Sequence, residues 1–118
     1  MTRQEAVTKI IESGITGEPH LFTKNKVALE EYIRADKDLD PVERFIIIYI
    51  LDSKINLCID AWIDMAQTLY ISVDRLKRMV SSLEDRGYII TGKLNVGRMT
   101  FRAVNPKLIE RIANKKLA

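Results

Sequence analysis

Asp40, Pro41 and Glu43, followed by the seven apolar residues Phe45-Ile46-Ile47-Ile48-Tyr49-Ile50-Leu51, constrain this chain more than anything else in it. A capping carboxylate, a proline at the first helical position and a glutamate placed to bond back to the cap define a helix start. A helix that is apolar on nearly every face must be covered on several sides, so the rest of the chain has to pack around it. Three consecutive isoleucines also suit a strand, but the cap upstream decides for a helix.

The 118 residues fit one domain, 1–118, because a chain of this size supports a single set of packed layers. A hydrophobic fraction of 47% and a charged fraction of 30% belong to a folded protein rather than a disordered one. The apolar run is far shorter than the roughly 20 residues needed to cross a bilayer. Met1 to Glu5 lack a signal-peptide pattern, so the expected location is cytoplasmic. Cys58, the lone cysteine, has no internal disulfide partner and reads as a small buried hydrophobe between Leu57 and Ile59.

Around the core helix the order of elements is legible. Residues 1–36 form the N-terminal helices. Arg3 to Ser13 carries Ala6, Val7, Ile10 and Ile11 at helical spacing, and a second helix starts near Thr23 as N-cap with Val27, Leu29, Tyr32 and Ile33. Residues 41–104 hold the core helix, two further helices and a hairpin. Asp60 caps a short helix through Met65, Ala66 and Leu69, and Tyr70, Ile71 and Ser72 interrupt the pattern. Ser72 then caps a helix whose Leu76, Val80 and Leu83 form one buried stripe, ended by Gly87. Tyr88 to Thr91 and Arg98 to Val104 read as strands joined by a turn from Gly92 to Gly97. Residues 105–118 form the last helix, begun by Asn105-Pro106, with Leu108, Ile109, Ile112 and Ala113 on one side.

Charge is distributed unevenly. The formal net charge is only +3, yet from Ser72 onward eleven basic residues face four acidic ones, leaving +7 there and −4 before it. Such polarity suits a phosphate-rich partner.

On Met65-Ala66, Leu69, Ile71-Ser72, Leu76, Arg78, Val80, Leu83-Glu84, Arg86-Gly87 and Ile89, roughly residues 41–112 resemble the winged helix-turn-helix superfamily, particularly MarR-like regulators. Tyr70 departs from the pattern, because many such turns carry glycine there. The resemblance implies a mainly α fold with a small β-hairpin wing. It also implies sequence-specific binding of double-stranded DNA by a homodimer that regulates transcription, with no cofactor and no catalytic residues. The second helix of the motif then enters a major groove with Ser72, Val73, Arg75, Lys77, Arg78, Ser81 and Ser82 outward. Arg75 and Arg78 are the candidates for base or phosphate contacts, and Lys77 and Ser72 for phosphate. Lys93, Asn95 and Arg98 at the hairpin tip follow the backbone or enter a minor groove, with Arg98 the leading wing contact. Arg102, on the second wing strand, contacts phosphate or covers apolar surface with its stem. The terminal helices, Arg3 to Ser13 and Pro106 to Leu117, are the expected dimer interface.

Other chemistries find little support. His20 is the only histidine and Cys58 the only cysteine, so no zinc site is expected. Asp36, Asp38 and Asp40 alternate as in a calcium loop, but Pro41 and Ile47 stand where that loop needs glycine and glutamate. No set of acid, base and nucleophile converges, so an enzyme is not expected. Three other readings remain beside regulation. One is a partition adaptor similar to the TubR proteins, coating repeated DNA sites and recruiting a filament-forming NTPase. The others are a replication initiation factor and a winged helix that docks a protein instead of DNA.

Overall fold

The computed structural model describes residues 2–53, 55–94, 96–97 and 99–117 of the chain. Helix α1 (Arg3–Glu12) is capped by the Thr2 hydroxyl, which accepts from the Glu5 amide at 3.2 Å. Helix α2 (Pro19–Ala35) has Glu18 as its N-cap, five residues before the expected cap Thr23. The Glu18 carboxylate accepts from the His20 and Leu21 amides at 2.9 and 2.7 Å, and Pro19 sits just inside the start. Those two amide hydrogen bonds hold the Glu18 carboxyl below its usual range. Thr23 lies within the helix, its hydroxyl donating to the Pro19 carbonyl. The correction has a physical reason: a carboxylate ahead of proline satisfies two orphan amides, which a threonine five residues after that carboxylate cannot reach.

Helix α3 (Pro41–Asp52) starts with the expected capping box, Asp40 accepting from the Glu43 amide and Glu43 accepting from that of Asp40. Ile46, Ile47, Ile50 and Leu51 are buried, whereas Phe45 is 58% exposed. Helices α4 (Trp62–Leu69) and α5 (Val73–Asp85) follow. Asp60 does not cap α4; the cap position is Ala61 and carries no side-chain bond. Tyr49 of α3 donates its hydroxyl to the Asp60 carboxylate instead, a competition invisible along the local sequence.

Strands β1 (Ile89–Lys93) and β2 (Thr100–Val104) pair antiparallel, from Ile89 opposite Val104 to Lys93 opposite Thr100. Gly92 and Lys93, expected in the turn, extend the strand. A Cβ on Gly92 would overlap the Phe101 ring directly across, so this glycine serves cross-strand packing rather than a turn. On the far side of β2, Cys58 pairs with Arg102 through two backbone hydrogen bonds of 2.8 and 2.9 Å. Buried Asn56 continues this edge: its Oδ1 accepts from the Val104 amide, and its Nδ2 donates to the Val104 and Thr16 carbonyls.

Helix α6 (Pro106–Leu117) packs against α2. One core cluster joins Leu29 and Ile33 of α2 to α3, to Met65 of α4, to Leu76, Val80 and Leu83 of α5, and to Leu108, Ile109 and Ile112 of α6. The apolar stripe of α6, expected to face a partner, is therefore spent within the chain. Helix α1 fully buries only Ala6 and leaves Val7, Ile10 and Ile11 half-exposed. No helix among the described residues is long and apolar enough to cross a membrane.

Candidate nucleic-acid interface

The turn between α4 and α5 sets the geometry of this surface. Tyr70 terminates α4 in the left-handed conformation, φ 58° and ψ 39°, and its amide bonds back into the helix. Two residues later the Ser72 hydroxyl accepts from the Arg75 amide at 3.1 Å and starts α5. Leu76, Val80 and Leu83 lock one side of α5 into the core, which fixes the opposite side toward solvent.

That side divides into two rows. Arg75, Arg78 and Ser82 border a shallow depression toward Asp40 and Glu43 at the start of α3. Lys77 and Ser81 border a groove toward the hairpin, of about 410 Å³, floored by Trp62, Val80 and Phe101 and reaching Lys93. Arg75, Lys77, Arg78, Ser81 and Ser82 are all exposed, as the sequence predicts, and Asp74 lies among them. Val73 departs from expectation: it is half-buried against the core, because it sits one turn before Leu76 and two before Val80 on their side of the helix.

In the hairpin, Lys93 is exposed at the end of β1. Asn95 and Arg98 lie outside the described residues. Arg102 overturns its assignment as a phosphate contact, because it is fully buried. Its guanidinium carbon lies 4.3 Å from the centre of the Trp62 ring. Nη2 donates to the Asp60 carbonyl, and Nη1 to the Thr100 hydroxyl at 3.3 Å. Strand alternation does not separate a buried arginine from an exposed one when a loop covers the outer face of the hairpin.

Two residues carry more than sequence reasoning gave them. Arg86, at the C-cap of α5, donates to the Glu43 carboxylate and the Asp38 carbonyl, tying the end of α5 to the start of α3. The Glu43 bond raises the Arg86 pKa above its ordinary value. Trp62, the only tryptophan, also has the Lys77 ammonium 5.9 Å from its ring centre. The single signal available in the sequence was its place at the start of α4. Among the described residues, no group of three His, Cys, Asp or Glu side chains is gathered closely enough to hold a metal ion.

A buried helix, a second helix joined by a three-residue turn to a third with an outward basic face, and a β-hairpin beside it together make a winged helix-turn-helix fold. In fold the chain is similar to solved structures of MarR family members. AbsC, a MarR family transcriptional regulator from Streptomyces coelicolor, is 13% identical, with a TM-score of 0.54 over 99% of this chain and 76% of that one. RV1404 from Mycobacterium tuberculosis is 11% identical, with a TM-score of 0.54 over 98% of this chain and 73% of that one. ZitR of Lactococcus lactis, a zinc-responsive MarR family member, is 14% identical with a TM-score of 0.53. That match covers 70% of this chain, which spans 54% of ZitR's length. No protein-family model matches the sequence, and no curated protein matches it either.

Proposed function

We propose that this chain binds double-stranded DNA sequence-specifically as a homodimer and regulates transcription, rather than catalysing a reaction. The observation that carries the reading is the outward face of α5, where exposed Arg75, Lys77 and Arg78 stand on a helix held rigidly from behind. Such a helix fits the major groove and presents guanidinium forks suited to guanine edges. Lys93 at the end of β1 adds a cation where a wing meets the neighbouring backbone. The likeness to AbsC supports the reading through the fold.

Selection of bound duplexes from a random pool, followed by titration of the winner at several salt concentrations, tests it. Arg75, Lys77, Arg78 and Lys93, the four cations of this face among the described residues, correspond to a log–log salt slope of about −7 for a dimer. The expected result is one enriched palindrome with a slope near that value. A regular array of direct repeats would replace regulation with partition, and no enrichment with weak salt dependence would replace DNA with a protein partner.

A further inference from the structure

Among the described residues, buried Arg102 has no acidic side chain in ion-pair contact. One oxygen of the Asp60 carboxylate takes the Tyr49 hydroxyl, the guanidinium donates to the Asp60 carbonyl, the Thr100 hydroxyl and, at 3.9 Å, the Cys58 sulfur, and its Nε has no partner among the described residues. Burying a charge in this way is costly, and a methionine would fill a similar volume at lower cost. A methionine lacks direction, however. The planar guanidinium offers fixed donors along its edge and a flat face for an aromatic ring. Here the edge reaches the backbone just ahead of α4, whose start has no side-chain cap, and the face stacks on Trp62, the first residue of α4. One side chain from β2 thus grips the leading end of the helix that packs against α5. The same Trp62 ring lies below Lys77 of α5, so wing strand, α4 and α5 meet at it.

We propose that Arg102, with Trp62 as the plate it stacks on, is the positioning residue that sets the angle between the wing and the helix-turn-helix unit. Arg102 touches no DNA; it acts by placing Lys93, whose strand is paired with its own. The proposal rests on the DNA-binding reading only for its functional consequence, because the angle itself is a property of the free protein.

The test uses the full chain with Arg102→Met, Arg102→Lys and Trp62→Leu variants. Residual dipolar couplings of β1 and β2 relative to α4 and α5 report the wing angle without DNA. Arg102→Met and Trp62→Leu are expected to change that relative orientation, while circular dichroism keeps the helical content. Arg102→Lys is expected to behave like Arg102→Met, because an ammonium has neither fork nor flat face. On the selected duplex, Arg102→Met is expected to weaken binding about tenfold. Lys93→Ala, several-fold weaker in the wild-type background, should then cost nothing further in the Arg102→Met background, whereas Arg78→Ala should keep its full effect. Unchanged couplings in folded Arg102→Met or Trp62→Leu would overturn the proposal, as would a Lys93→Ala effect of equal size in both backgrounds. If Arg102→Met fails to fold, Trp62→Leu is read by the same two criteria. A wild-type chain that binds no duplex would instead sink the DNA-binding reading, leaving the couplings to decide the positioning role.

Discussion

Tyr70 occupies a backbone conformation that costs a residue with a side chain about 1–2 kcal/mol. Its side chain is 94% exposed, so packing within the chain gives little in return. Replacing it with glycine relieves the strain and loses roughly 0.5–1 kcal/mol to the greater freedom of the unfolded chain. Tyr70→Gly should therefore stabilise the fold by up to about 1 kcal/mol in urea unfolding. A loss of stability would mean that the phenol makes a contact worth more than the strain. Arg78 and Lys93 differ in what they can discriminate. If Arg78 forks onto a base, Arg78→Ala should cost about 1–3 kcal/mol on the selected duplex and much less on random DNA. Lys93→Ala should weaken both alike, as a phosphate contact does. Equal losses for Arg78→Ala on the two duplexes would remove it from base reading.

Between elements, polar ties complete what apolar burial begins. Asn56 is the tie between the edge of the sheet and the loop after α1, with Val104 and Thr16 as its backbone partners. Asn56→Ala strands the buried Val104 amide and puts alanine at φ 57°, so a loss of about 2–4 kcal/mol is expected in chemical denaturation. Tyr49 links α3 to Asp60, and Tyr88, just before β1, links to Asp36 after α2. Burial, and then the hydrogen bond to the facing carboxylate, push each phenol up from 10.0 to about 12. The folded state thus keeps two protons that the unfolded chain releases near pH 10. Their contribution to stability is complete below that pH and is lost as the pH rises toward about 12. Phenolate absorbance should show two late-titrating tyrosines, and Tyr49→Phe and Tyr88→Phe should each flatten the alkaline fall in stability. The same ties mark the limit of what is legible in the sequence. The Asp40 box, the Ser72 cap and the Leu76-Val80-Leu83 stripe depend on neighbours within a turn or two, and they read directly. Asp60 as a cap and Arg102 as a phosphate contact fail, because Tyr49 lies 11 residues from Asp60, and Arg102 reaches the Asp60 carbonyl across 42. Gly92 reads as a turn because alternation does not reveal that Phe101 lies across from it.

At the scale of the whole molecule, one chain measures 44 × 31 × 22 Å and carries a single α5. A palindromic site presents successive major grooves about 34 Å apart, so reading it takes a second α5 from a second copy. The apolar side of α6 does not supply the contact, since Leu108, Ile109 and Ile112 are buried within their own chain. What remains of the expected interface is α1, where Val7, Ile10 and Ile11 are half-exposed and Ile15, just beyond, is 51% exposed. An aspartate in each place separates the two roles. Ile109→Asp puts a charge into the core and should unfold the chain whatever its oligomeric state. Ile11→Asp should leave the helical spectrum and the thermal transition of the protomer in place while halving the sedimenting mass from twice 13.6 kDa to 13.6 kDa. It should also reduce palindrome binding to the level of an isolated half-site. A wild-type chain that sediments as a dimer and stays one with Ile11→Asp would move the interface off α1. A wild-type monomer that binds its selected site with a single α5 would remove the dimer from the mechanism altogether.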